Sequence, residues 1–178
     1  FAGGLKTISD ALNIREKILI AFEKAERETD PKKRQKHLNF VVVGGGPTGV
    51  EMAGSIADIA YKNLIKDFRN FSSKEARIYL IEASDNILPM FDGELSTKAR
   101  HYLAKFGVIV RTNERVLDIT KQSVTTENDI IEADTIIWAA GNEASPLLKT
   151  LNTELDRQGR VLVKPDCSIK SHPNIFVI

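Results

Sequence analysis

Apolar residues along this chain switch between the spacing of helices and the short unbroken runs of buried strands. From Thr7 to about Glu28, Ile8, Leu12, Ile18, Leu19, Phe22 and Ala25 recur at helical intervals, and Thr7 and Asp10 are residue types that cap a helix start. This stretch predicts an amphipathic helix that needs a partner surface. Asp30-Pro31 reads as its stop, and the lysines, arginine and histidine up to His37 read as a basic, solvated connector. Residues 39–43, Asn-Phe-Val-Val-Val, have no polar alternation, as expected of a parallel strand covered on both faces. After Pro47, helical spacing returns through Gly49, Val50, Ala53, Ile56, Ala57, Ala60 and Leu64, with small residues in the first turns.

A polar break at 70–74 leads to a second strand at 76–82. Asp92 is placed to cap a helix whose Leu95, Ala99, Tyr102 and Leu103 share a face, and Gly107 ends it before a third strand at 108–111. Short segments at 116–119, 123–126 and 130–132 predict a small antiparallel meander. The apolar run 134–139 then returns to the parallel sheet and ends at Ala140-Gly141-Asn142. Beyond it lie a short helix near 145–151, a strand around 161–163 and the terminal 175–178. The expected fold class is α/β, a Rossmann-like parallel sheet flanked by helices with a small antiparallel β-meander. The expected division is 1–36 as opening helix and basic connector, 37–141 as the nucleotide domain, and 142–178 as a return segment.

The turn between the first strand and the long helix carries the chemistry. Gly44, Gly46 and Gly49 have the G-x-G-x-x-G spacing, with Gly45, Pro47 and Thr48 between them. The first glycine permits a sharp turn, the second admits phosphate against bare backbone, and the third lets helix and strand approach. Pro47 suits a first helical turn, and the helix start offers N–H groups and a positive dipole end to a pyrophosphate. In an open α/β sheet, ligands bind beyond the carboxyl ends of the strands. That edge also gathers Glu82, with Ala83 beside it, and Ala140, Gly141 and Asn142. A carboxylate at a strand end accepts hydrogen bonds from ribose hydroxyls and repels a 2′-phosphate, so Glu82 favours NADH over NADPH. It lies further from Gly49 than the roughly 20 residues usual for this role, which the long helix and polar loop account for. Glu51, early in the helix, either complements the dipole or leans away from the phosphates, toward the nicotinamide or a lysine.

The formal net charge of +1 gives no overall electrostatic case for nucleic acid or an anionic membrane surface. No apolar stretch reaches spanning length. Cys167 is the only cysteine, which excludes an internal disulfide or a C-x-x-C pair in this chain. His37, His101 and His172 have no metal-ligand spacing, so no metal is expected. The sequence begins at Phe1 and stops within the apolar run at Ile178, which suggests part of a longer protein.

Gly44-Gly45-Gly46-Pro47-Thr48-Gly49-Val50-Glu51 with Ala53-Gly54, and the second signature from Trp138 to Pro146, resemble the type II NADH dehydrogenases. These are NADH:quinone oxidoreductases within the flavoproteins that carry two dinucleotide-binding domains. The opening Gly4-Leu5-Lys6-Thr7 with Asp10-Ala11-Leu12 is similar too, and His172 to Ile178 resembles the segment before a flavin-contacting Gly-Asp pair. The resemblance implies hydride transfer from NADH to FAD and then electron transfer to a quinone, this chain supplying the NADH half. It puts Glu51 beside the nicotinamide as the catalytic candidate, Glu82 on the adenosine ribose, and Ala140 to Asn142 near the cofactor junction. It also implies a cytoplasmic protein, peripheral on the inner face of the cell membrane through segments outside this sequence, and leaves a homodimer open. Two alternatives stay open: a related flavoprotein reductase of disulfides or ferredoxin-type carriers, and a nucleotide-sensing module without hydride transfer.

Overall fold

In a computed structural model of the protein, residues 2–141, 144–156 and 158–178 are described. The chain divides into two compact units, Phe1–Ala140 and Gly141–Ile178.

The first unit is built on a five-stranded, all-parallel sheet. Its elements run β1 (Gly3–Gly4), α1 (Ile8–Arg27), α2 (Pro31–Leu38), β2 (Asn39–Val43), α3 (Pro47–Asp58), β3 (Arg77–Ile81), α4 (Gly93–Lys105), β4 (Val108–Arg111), β5 (Val116–Ile119), β6 (Ser123–Thr126), β7 (Ile130–Glu132) and β8 (Thr135–Trp138). The sheet order is β1-β8-β2-β3-β4, and β5-β6-β7 forms a separate antiparallel meander. Because β2 pairs with β3 on one side and β8 on the other, Val43 stands level with both Ile81 and Trp138. Chain order reverses there, which makes the end of β2 the switch point of the sheet.

Residue parity explains why β2 is apolar throughout. Phe40 and Val42 face the helices, packing with Ile18, Phe22, Ala53, Ile56 and Ala57. Val41 and Val43 face the meander, where Val124, Ile131 and Ala133 close over them. Burying each such side chain contributes roughly 1.5–3 kcal/mol, so a polar residue on either face of β2 would be costly. The two-residue β1, paired with β8, escaped the sequence reading because two glycines carry no strand signal.

Three elements differ from expectation. The basic stretch after Asp30 is helix α2, not a connector: the Asp30 carboxylate accepts from Lys32 N–H at 2.8 Å and Lys33 N–H at 3.4 Å, with Pro31 in the first turn. Asp-Pro starts a helix here as well as ending one. In α1, Thr7 and Asp10 form a reciprocal capping box, but the buried face is Ile14, Ile18, Ala21, Phe22 and Ala25. Ile8, Leu12 and Leu19 are exposed, because the helix turns Phe22 into stacking contact with Phe40 and Phe68 at ring-centroid distances of 5.3 and 5.8 Å. In α4, Leu103 is buried as expected, whereas Leu95 and Tyr102 are exposed. Ser96 takes the inward place, its hydroxyl donating to the Ile87 carbonyl at 2.7 Å.

The second unit contains a 3-10 helix, Pro146–Leu151, and an antiparallel pair, β9 (Ser168–Ile169) and β10 (His172–Phe176). The strand expected at 161–163 is reduced to isolated bridges, Leu155 to Val161 and Val163 to Ile169.

Candidate dinucleotide site

At the end of β2 the three fingerprint glycines meet three different surroundings. Gly44 has φ +111°, and a side chain there would come within 2.6 Å of the Ala140 backbone nitrogen. Its N–H donates to the Ile81 carbonyl at 2.8 Å, so the turn begins while still tied to β3. A side chain on Gly49 would overlap the Gly44 carbonyl oxygen, and this close approach presses the start of α3 onto the loop. Gly46 is the opposite case. A side chain added there would have nothing within 4 Å, leaving an open approach to bare backbone.

Gly46 is the N-cap of α3 and no side chain caps that helix. The other three described α-helices are each closed by a side chain, from Thr7, Asp30 and Asp92. Pro47 at the first position brings no N–H to satisfy, and Thr48 and Gly49 follow in the same turn. Among the described α-helices, α3 alone presents its N-terminal donors without an internal acceptor. Uncapped donors, the positive end of the dipole and open space at Gly46 together suit a phosphate anion.

Glu82 follows β3 directly and reaches the loop. Its Oε2 accepts from Gly45 N–H at 2.6 Å and its Oε1 from Ser84 N–H at 2.8 Å. Partial burial works to raise its pKa, but the donors at Ser84, Gly45 and Ala83 outweigh that and hold it below the usual carboxylate range. A carboxylate has about four acceptor sites, so two bonds to backbone leave capacity for the hydroxyls of a ribose. A side chain on Gly45 would lie 3.0 Å from Glu82 Cβ, so it would have to push the Glu82 side chain aside.

Ala140 joins this edge after β8, beside Gly44, and Ala83 is exposed next to Glu82. Gly141 is exposed with φ +74° and opens the second unit; Asn142 lies outside the described residues. Glu51 is exposed on α3, where it lines an open groove with Ala99 and Tyr102 of α4. Two directions are open to it, toward the nicotinamide or a lysine, and no ion pair with a lysine occurs among the described residues. His37 is engaged structurally, its Nδ1 2.6 Å from Asp134 Oδ2. Among the described residues no cluster of His, Cys, Asp or Glu could hold a metal ion, and no helix is long and apolar enough to cross a membrane.

Sequence reasoning missed the residues that hold Glu82 from behind. Arg111, Asn113 and Glu114, at and after the end of β4, bond to residues 82 and 84 through their main chains. Bonds between backbones leave no side-chain pattern to read, and only the charged pair Arg111 and Glu114 three apart gave a signal.

An open parallel sheet with a glycine turn and an uncapped helix at its switch point defines a nucleotide-binding domain of the Rossmann class. The chain belongs to the pyridine nucleotide-disulphide oxidoreductase family, whose model matches residues 5–178. It is 44% identical, over its whole length, to the type II NADH:quinone oxidoreductase NdhA of Mycobacterium tuberculosis, of which it covers 40%. It is 39% identical to the external NADH-ubiquinone oxidoreductase 2 of Saccharomyces cerevisiae mitochondria, over 88% of this chain and 30% of that protein. Among solved structures, NDH2 of Plasmodium falciparum in complex with NADH superposes with a TM-score of 0.83 at 29% identity, across all of this chain and 38% of that one. The chain therefore spans at most 40% of the length of these relatives.

Proposed function

We propose that this chain is the NADH-binding part of a FAD-dependent NADH dehydrogenase that passes electrons to a quinone. The observation that carries this reading is the uncapped start of α3 behind an unobstructed Gly46, in a chain similar along its whole length to NADH:quinone oxidoreductases. Backbone N–H groups of the loop and of the first turn of α3 bind the pyrophosphate, and Glu82 accepts hydroxyls of the adenosine ribose. Gly44 and Ala140 keep β2 and β8 close enough that the nicotinamide end runs along their carboxyl edge. Glu51 is the residue assigned to the nicotinamide end, with Gly141 and Asn142 at the junction toward the flavin. When bound, FAD supplies the two-electron acceptor for the hydride. The protein's part is orientation and electrostatics.

On this reading 1–36 holds β1, the opening helix α1 and most of the basic helix α2, 37–141 is the NADH domain and 142–178 the return toward a flavin domain. The whole protein works in the cytoplasm at the inner face of the cell membrane and attaches through segments outside this chain.

Calorimetry of this chain with NADH and NADPH tests the binding reading. NADH is expected to bind more tightly, and Glu82→Ala to lose about tenfold or more of that affinity, as for a charge-assisted hydrogen bond. Equal affinities in the parent chain would remove the ribose role of Glu82. Stopped-flow reduction of flavin by NADH in the full-length protein tests the chemistry, since a sensing module would bind without reducing.

A further inference from the structure

The main chain of Glu82 is gripped from the far side of β3. Its N–H donates to the Arg111 carbonyl at 2.9 Å, and its own carbonyl accepts from Glu114 N–H at 3.1 Å. Asn113, held at φ +54°, donates its N–H to the Ser84 carbonyl at 2.9 Å. The ladder between β3 and β4 thus continues past both strands as a turn-shaped clamp around residues 82 to 84. The clamp matters because the carboxylate of Glu82 is aimed by the backbone that carries it.

Arg111 fixes the shape of this clamp. Its guanidinium lies over the Tyr79 ring, 5.1 Å from the centroid, and its Nη1 donates to Glu114 Oε1 at 3.2 Å and Asp129 Oδ1 at 2.9 Å. Glu114 is almost fully buried, with 6% of its side chain exposed. Asp129 lies in the turn between β6 and β7, where its N–H donates to Thr126 Oγ1 at 3.1 Å. A contact path therefore runs from the tip of the meander through Arg111 and Glu114 to the backbone of Glu82. A buried carboxylate–guanidinium pair is a poor route to stability, because desolvation offsets much of the attraction. In some systems such pairs are retained for the geometry they fix.

We infer that Arg111 and Glu114 are positioning residues that aim Glu82 and thereby set the preference for NADH over NADPH. The inference rests on the ribose role proposed for Glu82. It makes discrimination between the cofactors depend on side chains placed behind the carboxylate, and on Asp129 in the meander turn.

The test uses the full-length protein, with calorimetric Kd values for NADH and NADPH and a thermal melt for each variant. Arg111→Met keeps an apolar stem over Tyr79 and removes the charge. It is expected to weaken NADH binding about threefold to tenfold while NADPH stays within about twofold, narrowing the ratio. In a Glu82→Ala background the same change should leave the ratio where Glu82→Ala put it. Arg111→Lys should recover part of the preference through a single point charge. Asp129→Asn, on an exposed side chain, reads the same path should Arg111→Met not fold. A lowered melting temperature with an unchanged NADH:NADPH ratio, in Arg111→Met or in Asp129→Asn, would show that the ion pairs only hold the meander and would overturn the inference. If Glu82→Ala itself leaves the ratio unchanged, the ribose reading falls first and this one with it.

Discussion

A side chain on Gly49 would occupy the place of the Gly44 carbonyl oxygen, whereas one on Gly46, three residues earlier, would meet nothing. Two glycines of one motif therefore serve different ends, packing and ligand access. Gly49→Ala is expected to cost about 2–4 kcal/mol and to lower Tm by about 5–10 °C, since backbone must move. Gly46→Ala should lower Tm by no more than about 3 °C, the cost of alanine at an N-cap, and reduce NADH affinity about tenfold or more, by placing a methyl where phosphate approaches. Thermal melts paired with calorimetry separate the two, and an equal loss of Tm in both would contradict the division.

Glu82 also predicts a pH dependence. Its folded pKa lies below its ordinary value of 4.5, so the stability it contributes is complete above that value and is lost as pH falls through the folded pKa. Replacing it by Gln removes that share without removing the bulk of the side chain. Acid unfolding of Glu82→Gln should therefore lose stability less steeply than the parent below about pH 4.5, with the other carboxylates of the chain titrating alike in both. Parallel acid-unfolding curves would show that the carboxylate's bonds to Gly45 and Ser84 do not favour its charged form.

The opening helix offers a contrast between buried and exposed apolar residues. Phe22 is fully buried against Phe40 and Phe68, and Phe22→Ala is expected to cost about 3–5 kcal/mol. Leu12 carries the same hydrophobic signal but is 58% exposed, so Leu12→Ala should change stability by no more than about 0.5 kcal/mol in this chain. Urea unfolding of the two variants decides the point, and a large loss in Leu12→Ala would mean that this face is packed.

Because Glu51 is exposed and carries no ion pair among the described residues, Glu51→Gln should leave the melting temperature of this chain unchanged. In the full-length protein it is expected to slow reduction of flavin by NADH about tenfold, with NADH affinity altered less. Pre-steady-state kinetics reads the two effects separately. A variant that reduces flavin at the parent rate would remove Glu51 from the nicotinamide end.

Much of the first unit was legible residue by residue. β2 at Asn39–Val43, the meander segments and β4 at Val108–Arg111 stand at the bounds their patterns predicted. Strands covered on both faces declare themselves through local composition, as does a helix whose cap precedes an apolar stripe; α2, capped by Asp30 but almost wholly polar, did not. Which face of a helix is buried did not declare itself. Ile8, Leu12 and Leu95 fit the apolar spacing and stayed outside, because the stripe is wider than the surface that receives it.

What the sequence determined by itself was the glycine turn between strand and helix, since backbone freedom, missing side chains and a proline start are properties of single residues and their spacing. Only the tertiary structure decided that Glu82 ties down Gly45 and that Arg111 and Glu114 hold Glu82 from behind. Those relations join residues far apart in the chain through backbone hydrogen bonds. A backbone donor or acceptor is present at nearly every position, so its partner is chosen only when strands from distant segments are laid in register.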